Sequence, residues 1–429
     1  MSQATRILLA LVAGLALGIA AAAIAPDFGM AAANVADPIG TLWLNGLRMT
    51  VVPLLIALLV TGIAQTAEAA KAGAIAGRAT VWIISLMTLS AIVGAVFTPL
   101  FLSLAPMPVE SAAALRAALT NTGPVADVPP FADFLRSIVP TNVIAAASSD
   151  AILPLIIFTA TFAFAVTRLP ADTRVALTGF FSALADAMII VVEWVLKLAP
   201  IGVFALAFVV GARSGAAAFG AVIHYILTVA AVGGIMALLA YVLAVVGGRV
   251  PFGRFAQAIA PVQALAVSTQ SSLACLPIML KKSEQLGVPE RTAGIVLPLA
   301  VALLRATGPA MNLAVALYVA SWFGVEVGPA QYAFAILAAV LTSMGAVSLP
   351  GQVSFVTSIA PICLILGAPV EALAILIAVE VLPDIMRTVG NVMMDVAVTT
   401  TVSRQAGETQ ETSQDPATRS GGGSLDPAT

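Results

Sequence analysis

What this chain has little of fixes its solvent before any motif is read. Charged residues make up 9% of its 429 positions, where a soluble domain carries about 25%. There is one histidine, His224, inside the apolar run from Ala221 to Val232. That leaves no histidine cluster for a metal or for a histidine-assisted nucleophile, and His224 reads as a packed or interfacial side chain. The two cysteines, Cys275 and Cys363, lie in apolar surroundings without metal-ligand spacing and read as core thiols. Basic surplus is missing as well. With 19 Lys and Arg against 21 Asp and Glu the net charge is -2, which gives nucleic acid no electrostatic footprint to bind.

What is abundant is apolar. Hydrophobic residues reach 60% and the mean hydropathy is +1.06, the composition of an all-α polytopic membrane protein. Its expected partners are membrane lipids, further copies of itself and a small solute. The segment from Arg6 to Ala25 has a basic residue ahead of an apolar run, as a signal peptide does, but its length suits a full span and it is expected to stay as the first helix.

Apolar stretches long enough to span run from about 6 to 25, 41 to 66, 79 to 104, 151 to 167, 176 to 212 and 217 to 247. From 255 onward shorter apolar pieces broken by Ser, Gly and Pro alternate with two long spans, 292 to 322 and 369 to 402. The expectation is about eight transmembrane helices plus two re-entrant helical hairpins. Basic residues near the helix ends support it: Arg6, Lys71, Arg78, Arg168, Arg174, Arg249, Arg254, Lys281, Lys282, Arg291 and Arg404 share one side if both hairpins enter and leave on the same face. That side is the cytoplasm, so both termini are expected there. Arg116, Arg136 and Arg213 fall on the other side.

The hairpins are centred on Val267 to Ser272 and on Thr342 to Gly351, small polar stretches that break a helix at membrane depth. Backbone freed there is tolerated only when buried in protein or lining a cavity. Two hairpins in corresponding places, each followed by a long helix, point to inverted repeats pairing 255 to 322 with 331 to 402 around a central site. The organisation read from this is scaffold helices in 1–66, a transmembrane helix and external loop in 67–130, scaffold and peripheral helices in 131–254, a transport core in 255–403 and a disordered cytoplasmic tail in 404–429.

The chemistry concentrates in the last long span. Asp384, Arg387, Thr388, Asn391 and Asp395 recur three and four apart, forming one polar helix face with Glu380 a turn above. An ionisable residue at the bilayer centre costs about 2.5 kcal/mol or more, so several on one face imply a partnered cavity. The plainer alternative, an Asp384 to Arg387 ion pair that only joins helices, leaves the two discontinuous hairpins unexplained. A membrane-embedded enzyme is disfavoured because Ser271 and Ser272 have no histidine partner and Cys275 has no evident base.

These residues resemble the dicarboxylate/amino acid:cation symporters, the family of the glutamate transporters. The resemblance runs nearly to Arg404 and is carried by Ile138-Val-Pro-Thr-Asn142, Ala199-Pro-Ile-Gly-Val-Phe-Ala205, the serine-rich tip ending in Leu276-Pro277, Leu349-Pro350-Gly351, and Arg387-Thr388 with Asn391 and Asp395. It implies a homotrimer in the inner membrane, with a scaffold and an elevator-like transport domain, importing an acidic amino acid such as glutamate or aspartate. The alternatives are a C4-dicarboxylate symporter and, further off, an anion-conducting channel. No cofactor is implied, only a coupling ion, sodium or a proton.

Residue by residue, the resemblance gives Arg387 the substrate side-chain carboxylate and Asp384 its amino group, with Thr388 and Asn391 completing that shell. The Ser271, Ser272 tip and the Val347, Pro350, Gly351 tip offer backbone amides to the main-chain carboxylate, and Asp395 with Asn391 supplies part of a sodium site. The chain departs from the family at Leu303 to Asn312, where an acidic cation ligand is missing and Arg305 stands about 21 Å into the membrane. There Arg305 either takes the place of a bound cation, pairing Asp395 or Glu380, or forms a fixed structural pair.

Overall fold

In a computed structural model the chain is described at residues 3–71, 73–107, 139–149, 151–214, 217–345 and 351–407. Among these residues every regular element is helical. Apolar backbone in lipid has to satisfy its own polar groups, and a helix does so within one segment.

The first body is built from α1 (Gln3–Ile24), α2 (Pro26–Lys71), α5 (Ile152–Val166), α6 (Ala171–Lys197) and α7 (Ala199–Ser214). At 46 residues α2 is about 69 Å long, twice what a straight span needs, and Pro38 and Pro53 inside it each remove a backbone donor. It packs on α5, α6 and α7, while α1 lies along α7. Glycines set that last approach: a Cβ at Gly18 would stand 2.3 Å from the Phe208 carbonyl oxygen, and one at Gly211 2.4 Å from that of Leu15. The short α4 (Val143–Ser148) precedes α5, and Asn142 starts it, its side-chain oxygen accepting from the amides of Ile144 and Ala145.

The second body contains α3 (Ala74–Leu104), α8 (Ala217–Val246) and everything that follows. Two helical hairpins are present: α9 (Phe252–Thr269) with α10 (Ser272–Gln285), and α13 (Pro329–Gly345) with α14 (Gly351–Leu366). Gln270 turns the first, with φ 49° in the left-handed region. The tip of the second, including Val347 and Pro350, lies outside the described residues, as do 108–130 of the expected external loop, 131–138 after it and the tail beyond 407.

Each hairpin leads into an interrupted helix, where the sequence predicts a continuous one. After the first, α11 (Glu290–Leu303) stops, and α12 (Gly308–Phe323) starts beyond a gap at 304–307. Pro309 explains the interruption, since in an unbroken helix its ring would clash with the carbonyl of Arg305, while its missing N–H is harmless at a helix start. After the second, a 3-10 turn (Val370–Ala372) and α15 (Leu373–Leu376) give way to turns over 377–380 before α16 (Val381–Gln405). Pro383 has the same effect here, since in an unbroken helix its ring would clash with the carbonyl of Val379. The amides of Ala378 and Val379 reach back only three residues, to Ile375 and Leu376.

Among the described residues five stretches are long and apolar enough to cross a membrane: Pro26–Ala70, Ala74–Leu104, Ala171–Lys197, Gly220–Val246 and Glu290–Phe323, the last counted across its gap. Shorter apolar helices, among them Ile152–Val166 and both arms of the second hairpin, accompany them. The all-α polytopic class expected from composition is what the structure has.

Candidate functional site

The two gaps place the site. α16 packs against α8, α9 and α11, and its polar face turns inward, with Arg387, Thr388 and Asn391 all nearly inaccessible. A guanidinium so placed needs an acceptor for each edge. Arg387 finds them at three nitrogens: Nη2 donates to Glu380 Oε1 at 2.6 Å, Nη1 to the Asn312 side-chain oxygen at 2.8 Å, and Nε lies 3.2 Å from Asp384 Oδ1. The other oxygen of Glu380 accepts from the Tyr225 hydroxyl on α8 at 3.1 Å. Asp384 is the most accessible of the charged partners, its side chain 13% exposed against 2% for Glu380.

The start of α12 meets the same face. Its first amides have no partner within the helix, and outside groups serve them. Ser90 on α3 accepts from the Ala310 amide at 3.0 Å. Just ahead of the helix, Thr307 gives both its amide and its hydroxyl to Thr307's neighbours on α16: the Asn391 side-chain oxygen accepts from each at 2.9 Å, and the hydroxyl also lies 2.9 Å from the Arg387 carbonyl. The Asn391 oxygen therefore serves the Thr307 amide and shares the single Thr307 hydroxyl hydrogen with the Arg387 carbonyl. In this arrangement its role is to clamp the two broken helices together.

Asp395 sits one turn beyond Asn391 on α16, fully buried, and neither carboxylate oxygen has a hydrogen-bond partner among the described residues. The Cys275 thiol of the first hairpin lies within electrostatic reach of it, which sets that hairpin near the carboxylate. The same hairpin is tied to α16 by Gln263, whose amide lies 3.0 Å from the Met393 sulfur. Ser271 caps its own helix, accepting from the Ala274 amide at 3.3 Å, and Ser272 opens that helix half-buried. Gly351 begins α14.

Arg305 lies in the gap between α11 and α12, within electrostatic reach of Arg387 and Asp384. This differs from the expected pairing with Asp395 or Glu380. Glu380 is taken by Arg387 and Tyr225, and the Asp395 oxygens accept from no described residue.

Of the residues predicted from sequence, Glu380, Asp384, Arg387 and Asn391 come together with Arg305 nearby. Tyr225, Thr307, Asn312 and Ser90 join them without having been assigned a role. The fold and this deep ionisable cluster between two interrupted helices define a membrane transporter of a small solute.

The chain matches the sodium:dicarboxylate symporter family over residues 4–405 and belongs to it. Among its relatives, a proton/sodium-glutamate symport protein of Bacillus caldotenax is 28% identical, covering 93% of this chain and 94% of its own length. A proton/glutamate-aspartate symporter of Escherichia coli K12 is 27% identical over 91% and 90%. A C4-dicarboxylate transport protein of Rhizobium johnstonii is 26% identical over 94% and 90%. The protein is thus a cation-coupled symporter and not an enzyme.

Proposed function

We propose that the protein imports an acidic amino acid, glutamate or aspartate, across the inner membrane. The observation that carries this reading is the Asp384 carboxylate beside Arg387, at 3.2 Å the longest of the three guanidinium contacts and the most accessible. A substrate carboxylate can engage the guanidinium bidentately by taking the place of Asp384. The released Asp384 then faces the substrate, and an ammonium group is what its charge calls for. Thr388 completes that shell. We propose that N–H groups and partial positive charge for the main-chain carboxylate come from the half-helix start at Ser271 and Ser272 and, in the second hairpin, from Val347 and Gly351, Pro350 having no N–H to give.

A C4-dicarboxylate is the second reading, and Arg305 favours it. Its guanidinium acts on Asp384 in this arrangement and can serve in place of a substrate ammonium. Asp395 is the proposed seat of the coupling cation, sodium or a proton, because a buried carboxylate without donors needs one or the other.

The contacts group α1, α2 and α5–α7 together, the proposed scaffold of a homotrimer, and α8 to α16 with α3, the proposed moving body. This assigns α8 to the transport body, where the sequence had grouped it with the scaffold. Both hairpins are proposed to be re-entrant, with both termini cytoplasmic.

Uptake into liposomes, with a sodium gradient and a pH gradient imposed separately, tests the reading with aspartate, glutamate and succinate. Arg387→Cys is expected to abolish uptake of all acidic solutes while the protein still folds. Aspartate binding equal to that of the parent would exclude the assignment.

A further inference from the structure

Among the three partners of Arg387, Asn312 is the neutral one, and it is joined at its other end to a hairpin. Its side-chain oxygen accepts from Arg387 Nη1 at 2.8 Å, and its Nδ2 donates to the Ser343 hydroxyl at 3.4 Å. The orientation of the amide is fixed by chemistry. Turning it over would set N–H against N–H at the guanidinium, so Nδ2 has to face Ser343. Both side chains are buried, Asn312 at 5% and Ser343 at 0% exposure, which removes water as a substitute partner. Ser343 stands two residues before the end of α13, on the arm that leads into the tip of the second hairpin. The same arm fits closely on the first turn of α12, where a Cβ at Gly308 would stand 3.3 Å from the Ser343 hydroxyl.

We infer that Asn312 is a positioning residue that ties the Arg387 guanidinium to the second hairpin, so that engaging an acidic solute and seating that hairpin are one event. The inference rests on the proposed role of Arg387. Two properties of an amide suit it to this place. It accepts from the guanidinium without neutralising it, which keeps the positive charge available to the solute. It also donates in the opposite direction, so a change in the guanidinium's position is passed to the α13 arm. A carboxylate in its place could do neither, and an aliphatic side chain would leave one guanidinium edge and Ser343 without a partner.

The test uses full-length protein in liposomes or detergent, with L-aspartate or succinate as the probe, whichever the unmodified protein takes up. Asn312→Asp keeps the size and the acceptor but adds a negative charge, and is expected to raise the KM at least about thirtyfold in a protein that still folds. Ser343→Ala leaves the Arg387 to Asn312 bond in place and is expected to raise the KM about fivefold. Amide hydrogen exchange over residues 340–345 supplies a readout that a merely structural bond does not move. In the parent the solute should slow exchange there, and in Ser343→Ala that response should be lost. If both variants keep the parent's KM and its solute-dependent protection while Arg387→Cys abolishes binding, the link is overturned and the role of Arg387 stands. If Arg387→Cys itself binds normally, both fall together.

Discussion

Tyr225 donates its hydroxyl hydrogen to Glu380 across 155 positions of sequence, from α8 to the gap before α16. The two buried groups, with Arg387 on the far oxygen, fix a guanidinium in the protein interior from behind. Removing that one donor leaves a carboxylate oxygen unserved, a loss of about 1.5 to 3 kcal/mol where a charged group is involved. Tyr225→Phe is therefore expected to raise the KM for the acidic solute about tenfold or more with little change in maximal uptake, as read from initial rates in liposomes.

Asp384→Ser is expected to separate amino acids from dicarboxylates. Without the carboxylate a substrate ammonium loses its partner, and aspartate should bind about ten- to a hundredfold more weakly, while succinate is spared or favoured. Competition between the two solutes reads this directly. Equal loss for both would identify the Asp384 to Arg387 contact as an ion pair that only holds the helix.

For Asp395→Asn the expected outcome is a folded protein whose uptake no longer responds to the driving cation. The native carboxylate is buried, and among the described residues neither oxygen has a donor, a state that a cation or a proton relieves. The measurement is uptake against sodium concentration at fixed pH, then against pH without sodium. One of these dependences should flatten by about tenfold or more. If both remain as steep as in the parent, the cation sits elsewhere.

Arg305→Met tests what the gap between α11 and α12 contributes. Taking away this guanidinium leaves Asp384 with Arg387 as its remaining cation, so a substrate bearing its own ammonium should gain relative to one that lacks it. The ratio of aspartate to succinate uptake is expected to rise at least about fivefold. A ratio unchanged from the parent would make Arg305 a structural residue alone.

The stripe of Asp384, Arg387, Thr388, Asn391 and Asp395 was legible because helical spacing is local: residues three and four apart must share a face. The partners that decide its chemistry were not. Tyr225, Thr307 and Asn312 come from segments 75 to 155 positions away, and no periodicity in one segment encodes its register against another. Arg387 to Glu380, seven apart, was within reach of the same helical reasoning. The interruption at 377–380 went unread although Pro383 announced it, because the run around it is apolar enough to pass for one continuous span. Gly308-Pro309 gave the same notice for the first gap. The pairing of Arg305 with Asp395 or Glu380 was drawn from the acidic cation ligand that the family supplies at its place, and the gap itself carried no signal of which carboxylate the guanidinium would face. The hairpins were legible for the opposite reason, their polar tips standing out against an apolar background.

The glycine seam between α1 and α7 carries no charge and touches no solute, yet it bears on how the protein assembles. Lipid tails are as apolar as leucine, so two greasy helices gain almost nothing by hiding from them. What remains is dispersion between atoms in contact, and it fades within an ångström of separation. With backbones brought as close as Gly18 and Gly211 allow, the pair is joined along its length by contacts no side chain could supply. A methyl group at Gly18 or Gly211, or at Gly14, where it would meet the Phe204 carbonyl, would wedge the two apart where lipid would fill the space, so the docking of α1 on α7 depends on bare backbone at these three glycines.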